Sequence, residues 1–213
     1  MAKRTLITEA RVRSTAAAGK MTMEVPAGAV ITPLARDTAR TLGIKFVRTT
    51  PAVVSATATP GIVALGSDHG GFSYKTELAP FIRELDFGLL DVGTDSKARC
   101  DYPDFAFAVG RAVSLGKADF GVMIDGTGAA SAIVCNKIPG IRAVCACCEY
   151  TATTARSHGN AQVLTLGARV VGLDVCKGIV RAFLTTVYEG RRHKRRLDKI
   201  ADVEARYLRQ DSR

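Results

Sequence analysis

Ile62-Val63-Ala64-Leu65-Gly66-Ser67-Asp68-His69-Gly70-Gly71-Phe72 reads as a short apolar strand, a polar glycine-rich turn and the start of a helix. The same order recurs at Phe120-Gly121-Val122-Met123-Ile124-Asp125-Gly126-Thr127-Gly128-Ala129-Ala130. Two such turns place polar groups at the carboxyl ends of two strands, where open α/β sheets bind ligands. Outward from them, strand patterns over 61–67, 88–92, 119–124, 141–146 and 162–166 alternate with helical patterns over 72–86, 104–115, 128–136, 150–157 and 173–185. The alternation predicts a Rossmann-like, three-layer α/β/α domain with a five-stranded parallel sheet. A basic helix over about 191–209 has no evident place in that sheet and is expected to reach across a subunit interface.

Ahead of the sheet lies a small N-terminal extension, residues 1–49. Its pattern predicts a helix at Ile7–Arg13 capped by Thr8, a strand at Met21–Val25, a helix at Leu34–Leu42 with Thr32 as N-cap, and a strand at Ile44–Val47. About 45 residues is short for an independent core, so this segment is expected to dock on something or stay mobile. Residues 50–60, uncharged and bracketed by Pro51 and Pro60, read as a linker. The sheet domain then runs over 61–188 and the basic C-terminal segment over 189–213.

Charge and composition exclude several classes. Of the net charge of +10, residues 1–60 hold +6, residues 61–188 none and residues 189–213 +4, so the core is not a nucleic-acid surface. No apolar run has the roughly 20 residues of a membrane helix, and the first residues lack a signal-peptide core, which predicts a cytoplasmic protein. The six cysteines are expected to be reduced, mostly buried thiols. Cys145-Ala146-Cys147-Cys148 lacks a second Cys/His pair at ligand spacing, so no metal site is expected.

Further motifs follow the two turns: Asp101-Tyr102-Pro103, Asn136-Lys137-Ile138-Pro139-Gly140-Ile141-Arg142-Ala143, Ala155-Arg156-Ser157-His158, Leu164-Thr165-Leu166-Gly167-Ala168-Arg169 and Glu189-Gly190-Arg191-Arg192-His193-Lys194-Arg195-Arg196. Together with Lys75 and the two turns, and in this order over 61–204, they resemble the ribose-5-phosphate isomerase B / galactose-6-phosphate isomerase family. The resemblance implies an aldose–ketose isomerase for a phosphorylated sugar, without a cofactor, with sites between two subunits of a dimer. Such a reaction needs an acid-base pair for ring opening, a base that moves a proton between C2 and C1, donors for the enediolate and cations for the phosphate.

On this resemblance His158 opens the ring. Thr127 holds the enediolate with the N–H groups of Gly128 and Ala129, at a helix N-terminus. Asp68, His69, Tyr102, Gly126 and Asn160 line the sugar. His69, Arg169, Arg192 and Arg196 hold the phosphate, Arg192 and Arg196 lying four apart on one helix face. Read without the resemblance, His158 is a helix cap, the glycine turn is steric, and the Arg/Lys run is a solvated helix face.

Two departures stand out. Many members have a catalytic cysteine where this chain has Asp125, which as a base is weaker than a thiolate. Another branch uses a glutamate at the position of Ser131, so that route looks closed. Gly159 follows His158 where the family has Asn, and Asn160 comes one place late. Asp125 is therefore either the base or the mark of a changed site. The alternative of another class is a sugar-phosphate binding or assembly module. A dinucleotide-binding reading is weak, because the first turn lacks G-x-G-x-x-G spacing.

Residues 1–49 carry a second resemblance. Leu6-Ile7-Thr8-Glu9, Ile31-Thr32-Pro33-Leu34-Ala35-Arg36 and Leu42-Gly43-Ile44 are similar to leading segments of ethanolamine-utilisation proteins of bacterial microcompartments. It implies recruitment to shell or cargo proteins; the other reading is an extension that steadies the dimer. No nucleic acid or membrane partner is expected.

Overall fold

The computed structural model describes residues 6–26, 30–49 and 61–208. The chain divides into two compact units, Met1–Thr59 and Pro60–Arg213. The predicted linker, 50–60, lies outside the described residues.

In the first unit, β1 (Leu6–Ile7), α1 (Glu9–Ala17) and β2 (Thr22–Pro26) are followed by β3 (Val30–Ile31), α2 (Pro33–Thr41) and β4 (Lys45–Thr49). β1 pairs in parallel with β3, and β2 with β4, so one β-α-β arrangement occurs twice. The repeat was not expected, because two-residue strands carry no periodicity; Ile7 belongs to β1 and not to a helix. Thr32 caps α2 by accepting from the Ala35 N–H at 3.2 Å, whereas Thr8 makes no side-chain cap bond. Ile7, Val12, Met23, Val25, Ala35, Ala39 and Ile44 close a small core.

The second unit contains β5 (Ile62–Ser67), α3 (Phe72–Glu84), β6 (Gly88–Asp91), α4 (Tyr102–Ser114), β7 (Phe120–Asp125), α5 (Ala129–Cys135), β8 (Ala143–Cys145), α6 (Glu149–Ser157), β9 (Val163–Gly167) and α7 (Leu173–Thr185). A 3₁₀ turn at Arg191–His193 leads into α8 (Lys194–Leu208). The predicted strands and helices hold to within two residues, apart from this tight turn at the head of the last helix. The five strands are all parallel in the order β6-β5-β7-β9-β8.

Apolar side chains fill both faces of the sheet. On one face Leu78, Phe81 and Ile82 of α3, Ala152 of α6, and Cys176, Ile179, Val180, Phe183 and Leu184 of α7 pack against Val63, Leu65, Val122, Ile124, Leu164 and Leu166. On the other, Ala106, Val109 and Ala112 of α4 and Cys135 of α5 cover Ala64, Met123 and Val163. Truncating a fully buried residue here, such as Leu65, costs about 2–5 kcal/mol. The chain leaves β5 toward β6 on one side and returns to β7 on the other. This opens a crevice between the carboxyl ends of β5 and β7, where the two glycine turns lie.

No helix of the described residues is long and apolar enough to cross a membrane. All six cysteines are free, but only Cys135 and Cys176 are buried; Cys145, Cys147 and Cys148 are exposed, contrary to the expectation of mostly buried thiols.

Candidate active site

The crevice is built around two buried carboxylates, Asp68 and Asp125. Asp68 follows β5; its Oδ1 accepts from the Gly71 N–H at 3.0 Å, and its Oδ2 lies 3.8 Å from His69 Nδ1. His69 Nδ1 also sits 3.1 Å from the Cys100 carbonyl and 3.3 Å from its N–H, which pins the ring and leaves Nε2 for a ligand. Tyr102, at the start of α4, packs its ring against the second core cluster.

Asp125 ends β7 and folds under the N-terminus of α5. Its Oδ1 accepts from the N–H groups of Thr127 at 2.6 Å and Gly128 at 2.5 Å. Its Oδ2 accepts from the Ser131 N–H at 3.3 Å and from the Ser131 hydroxyl. A carboxylate offers about four lone-pair sites, and here all four face a donor. Three donors are backbone groups; the Ser131 hydroxyl alone can rotate away.

This web corrects the donor set expected for the enediolate. The Gly128 N–H is spent on Asp125. Ala129 and Ala130 are the first residues of α5, and the first N–H groups of a helix have no acceptor within it. With the exposed Thr127 side chain, they are the donors that this turn offers to a ligand. Gly128 has φ +79°, and a Cβ there would come within 2.9 Å of Cys145 Sγ, so the turn needs glycine. Thr165 Oγ1 secures it by donating to the Gly128 carbonyl at 2.7 Å. Arg169 Cδ and Nε lie 3.8 and 3.9 Å from where a Gly126 Cβ would stand, so this guanidinium borders the same turn.

Cys145 Sγ is 3.6 Å from the Thr127 carbonyl. Burial pushes its thiol up; Asp125 and Cys147 add to this, against a contact with Thr165. It stays protonated near neutral pH.

His158, Asn160, Arg192 and Arg196 form a second group. His158 is the C-cap of α6, which runs back toward the amino end of β9. Val163 pairs with Gly121, whereas Asp125 pairs with Gly167, so the two groups lie at opposite ends of the sheet, about 13 Å apart in strand rise alone. Within one chain the expected clamp of His69, Arg169, Arg192 and Arg196 is therefore not assembled. Asn160, at φ +43°, turns its Oδ1 to Arg156 Nη1 at 3.0 Å. A Cβ on Gly159 would meet the Ala155 carbonyl at 2.8 Å, so this tight turn excludes the family's Asn without a shift.

The turn after His158 is held by two arginines not among the expected site residues. Arg142 donates to the Gly159 and Asn160 carbonyls at 3.0 and 2.9 Å. Arg156, buried between the rings of Phe120 and Phe183, donates to the Ala161 carbonyl at 2.7 Å. Both stand in the quoted motifs, but their role depends on a turn that periodicity does not show. Lys75, likewise quoted, is buried and paired with Asp91 at 2.7 Å, bracing the end of β6.

His158, Glu189 and His193 bring three possible metal ligands within 4.8 Å of one another. Arg192 Nε, however, donates to His193 Nε2 at 3.1 Å, the lone pair a metal would need.

A sequence profile of the ribose/galactose isomerase family matches residues 63–200. Ribose-5-phosphate isomerase B of Escherichia coli K12 is 43% identical over 144 residues, 68% of this chain and 97% of that protein. A D-erythrulose-4-phosphate isomerase of Pectobacterium atrosepticum is 34% identical over 143 residues, 67% of this chain and 94% of that protein. Among solved structures, ribose-5-phosphate isomerase B of Clostridium thermocellum aligns with a TM-score of 0.67 and 42% identity, covering 68% of this chain and 99% of the other.

Proposed function

This chain belongs to the ribose/galactose isomerase family and is a sugar-phosphate isomerase, and on that premise we propose that it interconverts aldose and ketose phosphates through an enediolate. Ribose 5-phosphate is the default substrate; a tetrose or hexose phosphate is the related choice, since relatives named for erythrulose 4-phosphate and for galactose 6-phosphate also match. Asp125 is the base. It takes the C2 proton when the Ser131 hydroxyl swings away and frees one Oδ2 lone pair, and it returns the proton to C1. Thr127 and the amides of Ala129 and Ala130 hold the enediolate oxygens. Asp68 and His69 face the sugar and phosphate. No cofactor takes part.

One observation carries the wider reading: the residues form two half-sites at opposite ends of one sheet. His158, Arg192 and Arg196 reach Asp125 and Thr127 only if a second copy supplies them. Two faces support such a partner. The α8 stripe of Ile200, Val203, Tyr207 and Leu208 is exposed, and α8 buries none of its own side chains. An apolar groove of about 450 Å³ runs along α6 past Tyr150, Thr154 and Val144 to His158. Mutual docking of these faces in a two-fold dimer makes two complete sites.

Subunit mixing tests this. Thr127→Ala and His158→Asn homodimers are expected to be nearly inactive. Mixed and re-associated one to one, they regain up to about a quarter of wild-type turnover, since half the dimers then carry one intact site. No recovery from a demonstrated heterodimer contradicts the shared site.

A second reading, binding without turnover, is favoured by the filled lone pairs of Asp125. Residues 1–49, basic and outside the matched region, are read as a docking unit. The sequence resemblance points to microcompartment shell or cargo as its partner.

A further inference from the structure

The chain has three histidines, and two of them lie face to face. The ring centroids of His158 and His193 are 4.0 Å apart and their planes are inclined by 10°. The Glu189 carboxylate lies 4.0 Å from His158 Nε2 and 3.6 Å from His193 Nε2. His193 is only 3% exposed, although its neighbours Arg191, Arg192 and Lys194 face solvent. The 3₁₀ turn, closed by the His193 N–H on the Gly190 carbonyl at 2.9 Å, tucks this one side chain inward.

The bond from Arg192 Nε to His193 Nε2 decides the state of the ring. A ring nitrogen that accepts carries no proton, so His193 is neutral with its proton on Nδ1. Burial, then His158 and Arg192, hold the His193 imidazole below the ordinary histidine value; Glu189 pulls the other way and Arg196 adds to the lowering. A neutral ring can lie against His158 in either protonation state, whereas two imidazolium rings in this stack would repel. The same bond takes up Arg192 Nε and leaves its two Nη groups for a phosphate.

We infer that His193 is a positioning residue that ties the phosphate-binding Arg192 to the ring-opening His158. Its Nε2 orients the guanidinium, and its ring, with Glu189, holds the imidazole that exchanges the proton. The inference rests on the proposed roles of Arg192 and His158. It adds a buried residue, touching no substrate, whose two edges serve two different steps.

Two substitutions separate the edges. His193→Phe keeps a flat ring against His158 and removes the acceptor. His193→Gln keeps an acceptor near the Nε2 position and removes the stack. In the full-length protein, steady-state isomerisation against pH gives kcat and KM, and a ³¹P NMR titration with inorganic phosphate gives its binding constant. For His193→Phe, KM and the phosphate dissociation constant rise on the order of tenfold, more than kcat falls, because one charge-assisted contact loses its orientation. For His193→Gln, phosphate binding stays near wild type, while kcat falls on the order of tenfold and its acid limb moves.

Equal losses of both parameters in both variants, or wild-type behaviour in both, overturn the inference. Wild-type protein that isomerises normally beside unaffected variants sinks this inference alone. Wild-type protein that turns over no sugar phosphate sinks the functional reading, and the phosphate titration still decides the Arg192 arm. Should His193→Phe fail to fold, the contrast within His193→Gln between retained phosphate binding and lost turnover carries the test; parallel losses there count against it.

Discussion

The Ser131 hydroxyl donates to Asp125 Oδ2, tying the last residue of β7 to α5. By sequence, Ser131 only closes one catalytic route. In the folded chain it is the movable donor on the Asp125 carboxylate. If Asp125 is the base, Ser131→Ala removes a competitor for its lone pair and keeps at least about a tenth of turnover. Asp125→Asn loses on the order of a hundredfold or more. Phosphate binding changes little in either. Equal losses in turnover would reduce the pair to scaffolding.

Asp125→Asn keeps an oxygen for the Thr127 and Gly128 N–H groups but sets its NH₂ against the Ser131 N–H. One buried donor is left without an acceptor, and urea unfolding is expected to show a loss of about 1–3 kcal/mol. An unchanged midpoint would mean that the turn does not depend on the carboxylate.

Arg156 makes a similar prediction without chemistry. Its guanidinium lies 4.8 Å from the Phe120 ring and 5.6 Å from Phe183, and it holds the Ala161 carbonyl. Arg156→Met keeps much of the stem but strands that carbonyl and loosens the turn after His158. A loss of about 2–3 kcal/mol is expected, with KM for the sugar phosphate rising more than kcat falls. A stable variant with an altered kcat alone would contradict this placement.

His193 gives a pH dependence with a definite sign. Its pKa in the folded chain is lowered from 6.5, so the unfolded chain binds the proton more readily. The stabilisation is fully present above pH 6.5, and it is lost as the pH falls from there through the lowered folded value. The urea midpoint should decline over that window, and His193→Gln should flatten this part of the profile. A midpoint that rises on acidification has the wrong sign for a buried neutral ring.

Thiol reactivity should follow burial. Cys148, exposed at the head of α6 with its Sγ 3.2 Å from Thr151 Oγ1, has its thiol pulled down mainly by that hydroxyl. Burial raises Cys135 to about 12 and Cys176 to about 11. Mass spectrometry of limited alkylation should find Cys148 labelled first and the two buried thiols only after unfolding. Early labelling of Cys135 would mean that α5 opens in the native state.

Much of this was legible in the sequence because it repeats. The alternation of apolar strands and helices placed Asp68 and Asp125 at strand ends, and the order of strands then brought them to one crevice. Val30–Ile31 and Leu6–Ile7 were not legible, because two residues show no period and their pairing is non-local. The web around Asp125 was hidden for another reason. Its partners are mostly backbone N–H groups, which every residue carries and no spacing reveals. Nor could spacing show that His158 and Arg192 lie at the far end of the sheet from Thr127; that follows from the direction of α6. Gly159 was visible as a departure, but its reason, the Ala155 carbonyl, is a matter of three-dimensional approach.

The most direct test of the central claim is proton NMR in D₂O with ribose 5-phosphate and a panel of tetrose and hexose phosphates. Enediolate chemistry predicts loss of the C2 proton signal and growth of the matching ketose phosphate, with the fastest sugar identifying the substrate. Binding seen by shift changes, with no exchange at C2 for any sugar, would contradict it and leave a protein that holds sugar phosphates without turning them over.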